Sequence, residues 1–264
     1  MINRRAFSFK LAAVGGSLIM AAPLAFLVHG SMESGHVITT SASQWHHTTL
    51  ADGTAVHVDA RSRVKIEYTD EARLVYVDQG SAVFEVAKDP KKRPFIARTY
   101  LIDATAVGTR FGVSIDPGVT TTVSEGIVKV TTRGQQGAGP AITLRAGEEL
   151  RVPDSSRGAP TVVNVNAERK LEWATGWLVF EGATVAEIVN ELNRRNAVRI
   201  EIEPSEIAAR PMPGLQRFRV DASAAFAQYL AEANDLALIE DRSGSVLRLR
   251  PRGIEDTQPR QHAL

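Results

Sequence analysis

Arg73-Leu74-Val75-Tyr76-Val77 and Ala82-Val83-Phe84-Glu85-Val86, with Gly80 between them, decide what kind of fold this chain can have. Both strings are short runs rich in β-branched and aromatic residues, of strand length and without a 3.6-residue period, and Gly80 reads as a break between two strands. Ala55-Val56-His57-Val58 and Thr122-Val123 extend the pattern, punctuated by Asp52-Gly53, Asp116-Pro117-Gly118, Gly126, Gly134 and Gly147. Regularly spaced strands without helices imply an all-β domain over residues 36–165, as a sandwich, a barrel or a solenoid-like stack. The polar, glycine- and proline-rich stretches 133–140 and 153–160 read as exposed loops.

After Asn166 the period changes, and residues 170–250 read as strand, helix, strand, then strand, helix and a final pair of strands. Thr184 can cap the first helix, whose buried face would hold Val185, Ile188, Val189 and Leu192. Ser223 can cap the second, with Phe226, Ala227 and Leu230 on one face and Tyr229 at its flank. Two such helices would cover one face of a small mixed sheet, so the whole is mainly β with a following α+β domain. Residues 251–264 carry no apolar period and read as a disordered tail.

The run bounded by Leu11 and Met32 contains no Asp, Glu, Lys or Arg, and its roughly twenty residues reach about 30 Å as a helix, enough to span a bilayer. Arg4, Arg5 and Lys10 precede it and the first acid, Glu33, follows it. The positive-inside rule then leaves residues 1–10 cytoplasmic and the C-terminal bulk in the periplasm, on a single-pass inner-membrane protein. A removed secretory or twin-arginine signal is the competing reading, and the junction at residues 27–31 lacks a clear small-x-small cleavage site. The chain has no cysteine, 31 basic against 30 acidic residues and a net charge of +1. Neither disulfides nor thiolate metal sites hold it together, and nothing suggests a nucleic-acid partner.

The strings around Gly80 also carry a family resemblance. Gly80-Ser81-Ala82-Val83-Phe84-Glu85-Val86-Ala87-Lys88-Asp89-Pro90, then Arg93-Pro94-Phe95 and Ala106-Val107-Gly108-Thr109-Arg110-Phe111, resemble the characteristic block of the FecR family of sigma-factor regulators. Val123-Ser124-Glu125-Gly126 and Leu144-Arg145-Ala146-Gly147-Glu148 resemble its next strands, and Leu50-Ala51-Asp52-Gly53-Thr54 its first hairpin. The likeness continues through Trp173-Ala174-Thr175-Gly176-Trp177-Leu178-Val179-Phe180 into the first helix. It implies a C-terminal domain similar to the short signalling (STN-like) domain of TonB-dependent outer-membrane receptors. It also implies a relay from such a receptor, commonly in iron-siderophore uptake, to an extracytoplasmic-function (ECF) sigma factor. Family members usually hold the sigma factor with a cytoplasmic helical domain; residues 1–10 cannot bury the roughly 800 Å² per partner that a stable interface needs. A start site further upstream, a separate subunit or proteolytic release would each account for that.

No enzyme is expected, because no nucleophile, base and orienting group can be nominated together, and no cofactor is implied. Glu85, Lys88 and Asp89 fit a strand ending in a proline-bounded turn, and Gly108-Thr109 lacks the spacing of a phosphate loop. His46 and His47, with His57 on a neighbouring strand, invite a metal site, but no second pair stands at ligand spacing and adjacent strand residues face opposite ways. Phe84, Phe95 and Phe111 read as core. Trp173 and Trp177 are expected to brace the domain junction or to mark a partner interface, for which Leu178, Val185 and Leu192 are further candidates. Those last three recur every seven residues, yet straddle a strand and a helix, so core packing is the better reading than a zipper. A structural or envelope-binding module without sigma-factor control is the alternative to the relay.

Overall fold

The computed structural model describes residues 35–134, 137–154 and 158–252. The run between Leu11 and Met32, the centres of both expected loops and the expected tail from residue 253 lie outside them. Among the described residues no helix is long and apolar enough to cross a membrane.

The two strings around Gly80 are one strand, not two: β5 runs unbroken through Arg73–Glu85, 13 residues. Its first half pairs with β4 (Arg63–Tyr68) and, in parallel, with β6 (Phe95–Arg98). Its second half pairs with β3 (Ala55–Val58) and β8 (Arg110–Ile115). A single sheet therefore curls through β5 into two layers. The first adds β1 (His36–Thr39), β7 (Ile102–Ala106), β10 (Ile127–Gly134) and β11 (Gly137–Arg145). The second adds β2 (His46–Thr49), β9 (Val119–Glu125), β12 (Glu148–Val152) and β13 (Thr161–Asn164). Of the three architectures the sequence allows, the two facing layers make this a sandwich.

The bend has a local cause. Arg63 stands opposite Gln79 but Val64 opposite Val77, so Asp78 is an extra residue that reverses which side chains face inward. Before it Val75 and Val77 are core; after it Ala82 and Phe84 are. Gly80 follows at φ +74°, where a Cβ would stand 2.2 Å from Ser62 Oγ and 2.8 Å from the Arg61 carbonyl. The missing side chain lets Ser62 Oγ accept the Ser81 N–H at 2.9 Å. Phe84, Phe95 and Phe111 then fasten the layers, fully buried with ring centres 5.3, 5.4 and 6.3 Å apart. Such contacts add about 0.5–1.5 kcal/mol each beyond burial.

The expected loop at 133–140 is mostly strand, since β10 and β11 run to Gly134 and from Gly137. Pro140 is tolerated because β11 pairs only with β10, leaving one side of the strand without ladder bonds to lose.

The C-terminal part begins with α1 (Ala167–Leu171) and a 3-10 turn at Glu172–Thr175. Then come β14 (Trp177–Glu181), α2 (Val185–Arg195), β15 (Arg199–Ile202), the one-turn α3 (Ser205–Ala208), β16 (Leu215–Arg219), α4 (Ser223–Ala233), β17 (Leu236–Glu240) and β18 (Val246–Pro251). The helices do not cover one mixed sheet. β14 and β16 form a two-stranded ribbon, while β15, β18 and β17 form a second sheet with β15 parallel to β18. Each β-α-β half sends its strands to different sheets, so both helices contribute to a core shared by the two: Phe218 of β16 meets Phe226 of α4 at 4.9 Å, and Leu230 shares that core with Leu249 of β18. Thr184 caps α2 in a reciprocal box with Glu187. Ser223 caps nothing: Ala222 holds the cap position and Ser223 is buried as the first helical residue.

Gly80→Ala should cost about 3 kcal/mol, combining backbone strain with the clash at Ser62. Gly182→Ala, at φ +65° with open space around it, should cost about 1 kcal/mol from strain alone. Urea denaturation of the two variants isolates the steric part as their difference.

Candidate functional site

The outward side of the second layer is not left to solvent. Val83 of β5 is fully buried and belongs to the C-terminal core, not to that of the sandwich. Leu171, closing α1, presses on the same strand row: a Cβ on Gly112 of β8 would lie 2.6 Å from its Cδ2. This explains why Ala82-Val83-Phe84 is apolar without interruption, as expected of a strand covered on both faces.

Charges hold the two domains on either side of that contact. At one end Asp59, just after β3, pairs with Arg195 of α2 at 2.9 Å, with side-chain exposures of only 5% and 4%. Asp59 also accepts the Ala60 N–H at 2.9 Å, and Arg195 pairs with Glu191 and lies 5.5 Å from the Trp173 ring. Arg61 donates to the carbonyls of Asn193, Arg194 and Asn196, placing a cation on the negative end of α2. At the other end Lys170 of α1 meets Glu149 at 2.6 Å, and Glu149 accepts Thr122 Oγ1 at 2.8 Å. Arg110 reaches Glu168 at 3.2 Å and the Leu171 carbonyl at 3.4 Å. Beside these contacts lies a cleft of about 370 Å³, with Ser81, Ser114 and Thr122 on the sandwich side and Trp177 and Phe180 on the other.

The residues singled out in the sequence are placed as follows. Leu178, Val185 and Leu192 are buried at 4%, 3% and 0%, so their side chains serve the C-terminal core and present nothing to a partner. Trp173 is buried in the junction. Trp177 remains partly open, with Arg217 over its ring at 4.3 Å and Arg219 at 5.7 Å. The motif residues are structural: Pro94 O accepts the Arg73 N–H at 2.9 Å, Val86 N–H reaches Thr109 O at 2.8 Å, and Gly147 N–H reaches Val123 O at 2.9 Å. Gly108, Gly126 and Gly147 all turn at positive φ. Glu125 ends β9, and Glu85 ends β5 beside Arg110 at 3.3 Å. Asp89 forms a salt bridge with Arg93, whose side-chain and backbone donors pull the carboxyl down to about 2. Sequence reasoning misses Asp59 and Arg61, whose partners lie over a hundred positions away, and Glu149, whose partners Thr122 and Lys170 lie 27 and 21 positions away, because a lone charge beside a strand carries no local signal of a distant partner.

Residues 36–129 match the family model described as FecR protein. This region belongs to the FecR family. No curated protein matches the chain. In fold, the chain is similar to two crystal structures from Parabacteroides distasonis ATCC 8503, at 2.50 and 1.65 Å resolution, each provisionally described as an anti-sigma factor. Identities are 24% and 23%, with TM-scores of 0.60 and 0.61. Each alignment covers 82% of this chain and 98% or 99% of the other. That span is too long for the FecR region alone, so the shared fold takes in the C-terminal domain as well.

Two outcomes test how the FecR region and its companion are joined. Asp59→Leu should cost about 2–3 kcal/mol by leaving the buried Arg195 with Glu191 as its one carboxylate partner among the described residues, whereas Asp59→Leu with Arg195→Met should recover part of that; chemical denaturation of the full variant cycle measures both. Burial raises the Glu149 carboxyl, but hydrogen bonds from Lys170, Thr122 and Arg151 outweigh it and leave the group below its ordinary 4.5. A depressed carboxyl stabilises the fold above its unfolded pKa, and that share is lost as pH falls through the folded one. The melting temperature should therefore fall more steeply below about pH 4.5 in the parent chain than in Glu149→Gln.

Proposed function

We propose that this chain relays the state of a TonB-dependent outer-membrane receptor to an ECF sigma factor, acting as a periplasmic receiver anchored in the inner membrane by the run between Leu11 and Met32. The observation that carries the reading is the joining of the FecR sheet to a receiver-like domain through a buried, charge-specific junction. Two β-α-β halves whose helices lie between a two-stranded and a three-stranded sheet suit the STN-like assignment. The provisional naming of the two fold neighbours as anti-sigma factors supports the sigma-factor side.

The β14–β16 ribbon is where a receptor's signalling domain would dock. Each of its strands has one unpaired edge, and its outer side carries Trp177 stacked with Arg217 and Arg219. Strand edges offer backbone pairing, and Trp and Arg are the side chains most enriched in binding hot spots. Through β14 the ribbon leads directly into α2, whose C-terminal end is the part gripped by Asp59 and Arg61. A partner that binds the gripped and released arrangements unequally would shift the balance between them. The ligand sensed outside the cell is read by the receptor in this scheme, so this chain needs no small-molecule site for it.

The full chain in detergent micelles, titrated with the signalling domain of the TonB-dependent receptor encoded nearest to it, should show saturable binding. Arg217→Glu should weaken that binding by at least about tenfold. Failure to retain the receptor domain even at low salt would remove the relay, as would a C-terminal reporter fusion active only in the cytosol.

A further inference from the structure

The antiparallel pairing of β2 and β3 sets His47, and not His46, directly opposite His57. Their Nδ1 atoms stand 3.2 Å apart. Two imidazole nitrogens bound to one tetrahedral zinc at about 2.05 Å lie about 3.3 Å apart. The ring centres are 4.4 Å apart, with the ring planes inclined at 34°. His47 is exposed, leaving that side to solvent, while His57 is buried.

Behind His57 stands the second part of the arrangement. Its buried Nε2 makes no hydrogen bond but faces Glu85 Oε1 at 3.5 Å, and Glu85 is itself held by Arg110 at 3.3 Å. A carboxylate on that side favours the tautomer protonated at Nε2 and so leaves the Nδ1 lone pair free, which is how second-shell acids orient ligating histidines.

We infer that His47 and His57 form a two-imidazole site for a borderline divalent transition-metal cation of the zinc, nickel or copper class, with Glu85 as its positioning residue. Among the described residues no three His, Asp or Glu side chains converge on one point, so water completes the coordination. Imidazole suits these cations, and the lack of carboxylate ligands disfavours calcium and magnesium. Since Arg110 also reaches the Leu171 carbonyl, a cation here would bear on the domain junction through Glu85. A neutral ring-to-ring hydrogen bond fits the same separation, and titration separates the two.

The full chain in detergent is titrated with Zn²⁺ by calorimetry, with imidazole resonances followed by NMR. The expected result is saturable uptake with shifts at His47 and His57. His47→Ala, at an exposed position that leaves the fold intact, should lose at least about tenfold in affinity, and Glu85→Gln about tenfold. His46→Ala, on the same strand as His47 but opposite Val58 of β3, should change nothing. Uptake that survives His47→Ala, or no saturation with Zn²⁺ in large excess over the protein, overturns the assignment; circular dichroism of each variant confirms that the fold is retained.

Discussion

One strand has to satisfy three surroundings at once, and the rest of the molecule is arranged around that demand. The first half of β5 closes the first layer, its second half closes the second, and the reverse side of that second half lies beneath the C-terminal domain. A regular strand could not do this, because its inward set would point the wrong way after the bend. The extra residue at Asp78 restores the inward phase, and the bare Gly80 lets the chain pass close to Ser62. Phe84 and Val83, neighbours in sequence, then belong to different cores. Displacing the C-terminal domain would uncover Val83, so the junction and the sandwich are energetically linked through adjacent residues.

The junction itself combines a small apolar contact with buried charge. Leu171 against Gly112 and Val83 gives attraction but little orientation, since apolar burial is non-directional. Orientation comes from Asp59 with Arg195 and from Arg61 on the end of α2, contacts that tolerate little sliding because each desolvated charge needs its partner. Lys170 and Glu149 fix the near end at α1. Beside them lies the open cleft, where Ser81 and Ser114 face Trp177 and Phe180. An interface of this kind takes its orientation from paired charges more than from apolar burial.

Much of this was legible in sequence. The β-strand periodicity, the change of pattern after Asn166, and the helix capped by Thr184 each follow from local rules acting over a few residues. The errors have physical reasons. Gly80 signalled a break because glycine at positive φ usually ends a strand, whereas here it bends one. Ser223 resembled a cap by type, but Ala222 takes that position and the serine is drawn into the core. The single mixed sheet was the simplest way to cover two amphipathic helices; only tertiary pairing shows the strands divided between two sheets. The charges of the junction and the His47–His57 pairing depend on register and on contacts distant in sequence, which no local pattern encodes.

The residues of the family motif and the exposed side chains of the β14–β16 ribbon occupy different places. Gly80, Phe84, Pro94, Phe95, Gly108, Phe111, Gly126 and Gly147 set turns and fill the sandwich core, and none of them offers a side chain to a partner. Their pattern therefore reports that the sheet can curl. The fold leaves side chains free to differ elsewhere, and the β14–β16 ribbon is one such place. Leu215, Arg217 and Arg219 are exposed there, while Phe180 and Phe218 on the opposite side pack against the core. The period of two along β16 divides its residues: Phe218 packs against the core, while Leu215, Arg217 and Arg219 lie on the exposed face. Substitutions on that one face of the two-stranded ribbon should therefore come at little cost to the core beneath it.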